Sequence, residues 1–267
     1  MDMNDLKGRG FVLLGCGKMG SAMLEGWLKG ALEPADVWVI DPKPSDWLQS
    51  LDGLHLNEGL PADPAMVLVA VKPQMMGDAL PEMQKLGSGS TVFLSVAAGV
   101  PIAKFTEALG QGTPIVRAMP NTPAAVGRGI TAVIANAEAF DALDLSEELL
   151  SAVGQTVRLD AEDQMDAVTG VSGSGPAYVF HMIESMAAAG EAQGLTPDLA
   201  LTLAKATVGG AGQLAEESPK TPTQLREDVT SPNGTTQAGL DVLMADLPDL
   251  MKRTVGAAAD RSRELGA

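Results

Sequence analysis

Seven short apolar runs recur between residues 11 and 160, parted by turn residues or by helical patterns: FVLLG (11–15), VWVID (37–41), MVLVAVKP (66–73), TVFLSVAAG (91–99), PIVRAMP (114–120), TAVIAN (131–136) and TVRLD (156–160). A strand with one solvated face alternates polar and apolar residues, and most of these runs do not. They suit strands covered on both faces, in a mostly parallel sheet with helices packed on each side. After Asp160 the strand signal stops, and segments 174–193, 197–217, 235–247 and 248–265 carry helical periodicity. The sequence therefore predicts an α/β chain, with a doubly wound, mostly parallel sheet domain over 1–162 followed by an all-α domain over 163–267. No Pro- or Gly-dense linker stands near Asp163, so a tight junction is expected.

The first run leads straight into GCGKMG (15–20) and then a helical pattern. In Gly15-x-Gly17-x-x-Gly20 the first glycine permits a tight turn, the second lets the backbone approach a pyrophosphate, and the third allows helix and strand to pack closely. Cys16, Lys18 and Met19 fill the rest of the turn, and the helix start offers N–H groups and a positive dipole end to phosphate. Glycines at a strand-to-helix turn can be purely structural. Here Asp41 ends the second run about 20 residues on, where a carboxylate binds adenosine ribose hydroxyls, and the context favours a Rossmann-type dinucleotide site. Asp41 would repel a 2′-phosphate, which points to NAD, while Lys43 could offset that charge; the choice between NAD and NADP stays open.

The net charge of −16, with no local cluster of Lys or Arg, argues against nucleic acid and anionic membranes as partners. Cys16 is the single cysteine, and the two histidines, His55 and His181, lie far apart, so neither an internal disulfide nor a metal site is expected. The N-terminal stretch lacks a long apolar segment and no run approaches membrane-spanning length, so the chain reads as cytoplasmic. The helical half is rich in Ala and Gly, as in SMAAAG (185–190), and buries little apolar area per residue. It is expected to share its core with a second copy, as a homo-oligomer, rather than pack only on its own sheet domain.

Several further segments fall at the edge of the predicted sheet where ligands bind in open α/β folds. AVKP (70–73) and SVAAGV (95–100) end strands and, taken alone, read as turns; RAMPNTPAAVG (117–127) holds the chain rigidly and reads equally as a structural crossing. GVSGSGPAY (170–178) opens a helix, with serines able to cap it and more glycine than a cap needs. SPNGTT (231–236) precedes another helix and fits either a helix cap or a nest of N–H groups for a carboxylate, with hydroxyls from Thr235 and Thr236.

Taken in this order and spacing, GCGKMG, AVKP, SVAAGV, RAMPNTP, GVSGSGPAY and SPNGTT resemble pyrroline-5-carboxylate reductase over nearly the whole chain. The resemblance implies a Rossmann domain, a helical dimerisation domain, and dimers assembled into a larger ring such as a decamer. It implies NADP(H), possibly NAD(H), with no metal, and hydride transfer to the imine carbon of (S)-1-pyrroline-5-carboxylate to give L-proline. By position, residues 15–20 would hold the pyrophosphate. Asp41, Asn57, Ala70, Val71, Lys72 and Pro73 would line the cofactor groove, and Ala97, Ala98 and Gly99 would flank the nicotinamide. Ser231, Asn233, Gly234, Thr235 and Thr236 would clamp the substrate carboxylate, and Thr236 matches the threonine that hydrogen-bonds the ring nitrogen.

Two positions depart from the family pattern: Asn233 stands where glycine is usual, and Asp41 where a neutral or basic residue is common. The alternatives are a reductase of another cyclic imine or ketone on this scaffold, and a dinucleotide-sensing protein without turnover. Lys205, the candidate lysine for a β-hydroxyacid dehydrogenase, lacks the downstream Asn of that family.

Overall fold

In the computed structural model, which describes residues 2–266, eight strands form one sheet in the order β3-β2-β1-β4-β5-β6-β7-β8. These are β1 (Phe11–Leu14), β2 (Val37–Ile40), β3 (His55–Leu56), β4 (Met66–Val69), β5 (Val92–Ser95), β6 (Ile115–Met119), β7 (Gly129–Ala135) and β8 (Gly154–Arg158). Every pairing is parallel except β6 with β7. The strand order reverses between β1 and β4, which makes the end of β1 a topological switch point.

The unalternated apolar runs are explained by burial on both faces. Phe11, Leu13, Met66, Leu68, Leu94 and Val116 belong to one core, and Val12, Leu14, Val67, Val69, Phe93 and Ile115 to the other. On the first face α2 (Lys18–Trp27) packs Trp27 edge-on to Phe11 at 5.0 Å, and the Trp27 indole N–H donates to the Leu149 carbonyl at 2.7 Å. Burying an aromatic pair with its polar atom satisfied is how a chain with few aromatics anchors a sheet to its helices.

The remaining helices are α1 (Met3–Arg9), α3 (Asp46–Gln49), α4 (Met76–Met83), α5 (Ile102–Leu109), α6 (Leu143–Ser151), α7 (Met165–Val168), α8 (Gly175–Ala192), α9 (Pro197–Glu217), α10 (Pro222–Asp228) and α11 (Thr235–Gly266). Two compact units result: residues 1–173 with 258–267, and residues 174–257. Within the second unit α8 and α9 meet through Ala187, Ala200 and Ala204, and a Cβ on Gly190 would come 3.3 Å from that of Ala200. Small residues there permit close backbone approach.

Five features differ from the sequence reading. The helices expected over 235–247 and 248–265 are one helix that runs through Pro248. A proline there frees the carbonyl of Met244, four residues back, and Met244 is exposed, so water can satisfy it. Helices α1 and α10 and the two-residue strand β3 were not predicted; α1 and α10 are short and owe their starts to capping boxes at Asp2 and Thr221. The serines of GVSGSGPAY do not cap α8: Ser174 is already helical and makes no side-chain cap bond, and Ser172 Oγ donates to the Val168 carbonyl. The chain enters α8 from α7 through a wide turn at Thr169–Gly173, so there is no free helix start to cap.

Candidate active site

The carboxyl ends of β1, β2, β4 and β5 carry the residues expected to bind a dinucleotide, and their backbone ladder continues past the strands. Gly15 N–H donates to the Ile40 carbonyl at 2.8 Å, Ala70 N–H to Leu14 at 2.8 Å, and Val96 N–H to Val69 at 3.1 Å. Gly15 sits at φ +88°, and a Cβ on it would lie 2.8 Å from Val71 Cγ1. Only glycine meets both conditions without strain. A Cβ on Gly20 would come 2.7 Å from the Gly15 carbonyl oxygen, so Gly20 sets the closeness of α2 to the turn. At Gly17, by contrast, a Cβ would find nothing within 4 Å. The protein makes no internal demand for glycine there, and the space faces outward at the first turn of α2.

Gly17 occupies the cap position of α2, with no side-chain cap bond and no acidic residue in the first turn. The first N–H groups of the helix are therefore not capped by any side chain at Gly17, and Lys18 adds a cation to the positive dipole end. Ser21 Oγ donates back to the Cys16 carbonyl at 3.0 Å and steadies the turn. These are the features a pyrophosphate requires, so the residues present fit a dinucleotide.

Asp41 ties the turn to the neighbouring strand end. One carboxylate oxygen accepts the Cys16 N–H at 2.7 Å and the other the Lys43 N–H at 2.8 Å. Asn57, at φ +55°, clamps the Asp41 backbone: its amide oxygen accepts Asp41 N–H at 3.0 Å and its amide nitrogen donates to the Asp41 carbonyl at 2.9 Å. Beside them lies a hollow of about 270 Å³ lined by Leu14, Ile40, Pro42, Asn57, Val71 and Met75 among others. Sequence reasoning missed its apolar wall. Ile40 and Pro42 flank Asp41 and so were legible, whereas Met75 arrives through a 3₁₀ turn after Lys72 that no pattern announced.

Cys16 is buried within this turn, and burial pushes its thiol above the usual range; its contact with Ser21 opposes that rise and the Asp41 charge adds to it. His55 stacks on Trp38 at 4.2 Å and contacts the Ala35 carbonyl and Glu58, a structural setting. Among the described residues no group of three His, Cys, Asp or Glu side chains is placed to hold a metal ion, and no helix is long and apolar enough to cross a membrane.

In the helical unit, SPNGTT forms the turn that starts α11. Asn233 stands at φ +59°, the left-handed region that asparagine tolerates better than most residues. Its N–H donates to Gln237 Oε1 at 2.7 Å, so one amide of the expected nest is already taken by the chain. Gly234 N–H donates to the Ser231 carbonyl at 3.0 Å, and a Cβ on Gly234 would lie 2.4 Å from Ser231 Oγ. Thr235 and Thr236 open α11, where N–H groups lack partners within the helix.

A mostly parallel sheet with a switch-point glycine turn, an outward-facing helix start and a carboxylate after the second strand defines a dinucleotide-binding protein of the Rossmann class. Residues 10–99 match the family described as "NADP oxidoreductase coenzyme F420-dependent", and residues 162–265 match "Pyrroline-5-carboxylate reductase dimerisation". A pyrroline-5-carboxylate reductase of Pseudomonas aeruginosa is 38% identical over 259 residues, covering 94% of this chain and 95% of that one. The solved Coxiella burnetii pyrroline-5-carboxylate reductase superposes with a TM-score of 0.90 at 32% identity, covering 97% of this chain and 99% of that one. The Plasmodium falciparum enzyme, solved with NADP bound, gives 0.86 at 28% identity over 98% and 99%. The chain belongs to the pyrroline-5-carboxylate reductase family.

Proposed function

We infer that this chain reduces (S)-1-pyrroline-5-carboxylate to L-proline with a reduced nicotinamide dinucleotide. The observation that carries the inference is the 38% identity to a pyrroline-5-carboxylate reductase across 94% of the chain, sheet unit and helices together. When bound, the cofactor supplies a hydride to the imine carbon C5, while the ring nitrogen takes or already holds a proton. The turn at 15–20 binds the pyrophosphate through the first N–H groups of α2, and Asp41, Asn57 and 70–73 line the adenosine end. Ala97, Ala98 and Gly99 flank the nicotinamide.

The 231–236 turn holds the substrate carboxylate by the first N–H groups of α11 and the hydroxyls of Ser231, Thr235 and Thr236, while Asn233 and Gly234, whose own N–H groups are bonded within the chain, shape the turn; Thr236 hydrogen-bonds the ring nitrogen. No strong acid or base is assigned to the site. A protonated imine is already electrophilic, so the chain's contribution is positioning and the exclusion of alternative poses. NADPH and NADH both serve, with Asp41 favouring NADH because its carboxylate opposes a 2′-phosphate.

Self-association is supported by the dimerisation match and by apolar side chains left exposed in the helical unit, among them Phe180, Met182, Leu199, Leu203 and Leu243. A homodimer that assembles into a decamer-like ring in the cytoplasm is the reading we adopt. Oxidation of reduced cofactor on addition of pyrroline-5-carboxylate, with proline as the product, tests the function. A protein that binds cofactor but turns over no substrate would reverse it in favour of a sensor.

A further inference from the structure

The loop joining β5 to α5, residues 96–101, is held from two directions. On one side lies the last turn of α11. A Cβ built on Gly266 comes 2.6 Å from the Gly99 carbonyl oxygen and 3.8 Å from Pro101 Cδ, and one built on Gly99 comes 3.0 Å from Leu265 Cβ. The two glycines thus let the helix backbone and the loop backbone approach to near contact. That turn is itself fixed, because Ser262, 3% exposed, donates its hydroxyl to Asp166 Oδ1 at 2.6 Å. On the other side Glu162 Oε1 accepts the Ile102 N–H at 2.8 Å, and Arg117 holds the same oxygen at 2.7 Å.

Gly266 closes the described part of α11, where glycine is common, and here its missing Cβ is also what admits the Gly99 carbonyl. Gly99 itself sits at φ +76°, the residue type with the most conformations to lose, and the last turn of α11 packs against its carbonyl. Ser262 and Gly266 are therefore placed to set where the 97–99 backbone stands.

We propose that Gly266 and Ser262 are positioning residues for hydride transfer, acting through the loop that carries Ala97, Ala98 and Gly99. The inference rests on the reading that this loop flanks the nicotinamide. Displacement of a reacting partner by about 1 Å can cost on the order of 100-fold in rate, so a loop shifted by one methyl group registers in turnover before it registers in binding.

The test is Gly266→Ala and, separately, Ser262→Ala in the full chain. Steady-state kinetics would be followed with reduced cofactor carrying hydrogen or deuterium at the transferred position, beside thermal melts. Either variant should lower kcat by about tenfold or more, leave the KM for pyrroline-5-carboxylate little changed, and raise the deuterium isotope effect on kcat, because hydride transfer becomes slower relative to release. Arg263→Ala, which breaks only an exposed pair with Asp260, should change none of these. A fall in melting temperature with kcat and isotope effect unmoved would show that the turn is merely structural and would overturn the proposal. Should Gly266→Ala fail to fold, Ser262→Ala decides alone. Gly99→Ala separates the layers: an unchanged isotope effect there overturns the nicotinamide reading and the proposal with it, whereas a change there with none in Gly266→Ala or Ser262→Ala overturns the proposal only.

Discussion

Asp41 accepts the backbone N–H of Cys16 at 2.7 Å, so the carboxylate at the end of the second strand is also a strut of the glycine turn. Its other oxygen holds the Lys43 N–H. Replacing Asp41 by Asn leaves one of these N–H groups without an acceptor and should weaken both cofactors, but it removes the charge that opposes a 2′-phosphate. A half-buried like-charge contact discounted for screening contributes on the order of 1–2 kcal/mol. The expected outcome for Asp41→Asn is a rise of about tenfold in the ratio of kcat/KM for NADPH to that for NADH. An unchanged ratio would remove Asp41 as the selector.

The three glycines of the turn should separate stability from binding. Gly20→Ala forces a Cβ to 2.7 Å from the Gly15 carbonyl and should lower stability by about 1–3 kcal/mol in a denaturant melt. Gly17→Ala meets nothing within 4 Å and should leave the melt unchanged while weakening cofactor binding about tenfold, measured by titration calorimetry. Equal losses of stability in the two variants would contradict the view that Gly17 is reserved for a ligand.

Thr236→Ala removes one hydroxyl from the first turn of α11. Turnover should fall by roughly 10- to 100-fold, the size of a positioned hydrogen bond, while the dissociation constant for the cofactor stays as it was. Normal turnover would take Thr236 out of the mechanism.

Cys16 should resist alkylation. Burial, with Asp41 nearby and Ser21 opposing, raises the thiol above its ordinary pKa, so at neutral pH the neutral form prevails and the nucleophilic thiolate is scarcer than in the unfolded chain. The rate of labelling by iodoacetamide in the folded protein should therefore climb only at a pH above the midpoint of a free thiol. A midpoint at or below that of the denatured protein would show that the turn opens or that the burial is incomplete.

Much of this architecture was legible because the physics that shapes it is local. Apolar runs without polar alternation fit strands covered on both faces, and each of the seven contains a strand: β1, β4, β5 and β6 are buried throughout, whereas β7 and β8 begin two residues before their runs and are partly exposed. The glycine turn and Asp41 announced themselves by spacing, and Asn233 in its left-handed turn follows from the tolerance of asparagine for that region. What escaped was set by distant partners. His55 and Leu56 make a strand only because β2 offers an edge to pair with. Asn57 was expected to face a cofactor, and its clamp on the Asp41 backbone depends on the loop that brings it there.

Gly266 reads in the sequence as an ordinary glycine near a helix end. Its contact with Gly99, 167 positions earlier by number, has no signature in composition or periodicity. Pro248 shows the opposite failure, in which a strong local signal for a break is overruled by the helix on either side.

Catalysis of this one reaction is tested most directly by the loss of reduced-cofactor absorbance when pyrroline-5-carboxylate is added to the purified protein, with NADPH and NADH run in parallel and the product identified. Cofactor oxidation should be matched one to one by L-proline. Cofactor binding without oxidation of either dinucleotide would show that the protein is not a reductase of this substrate.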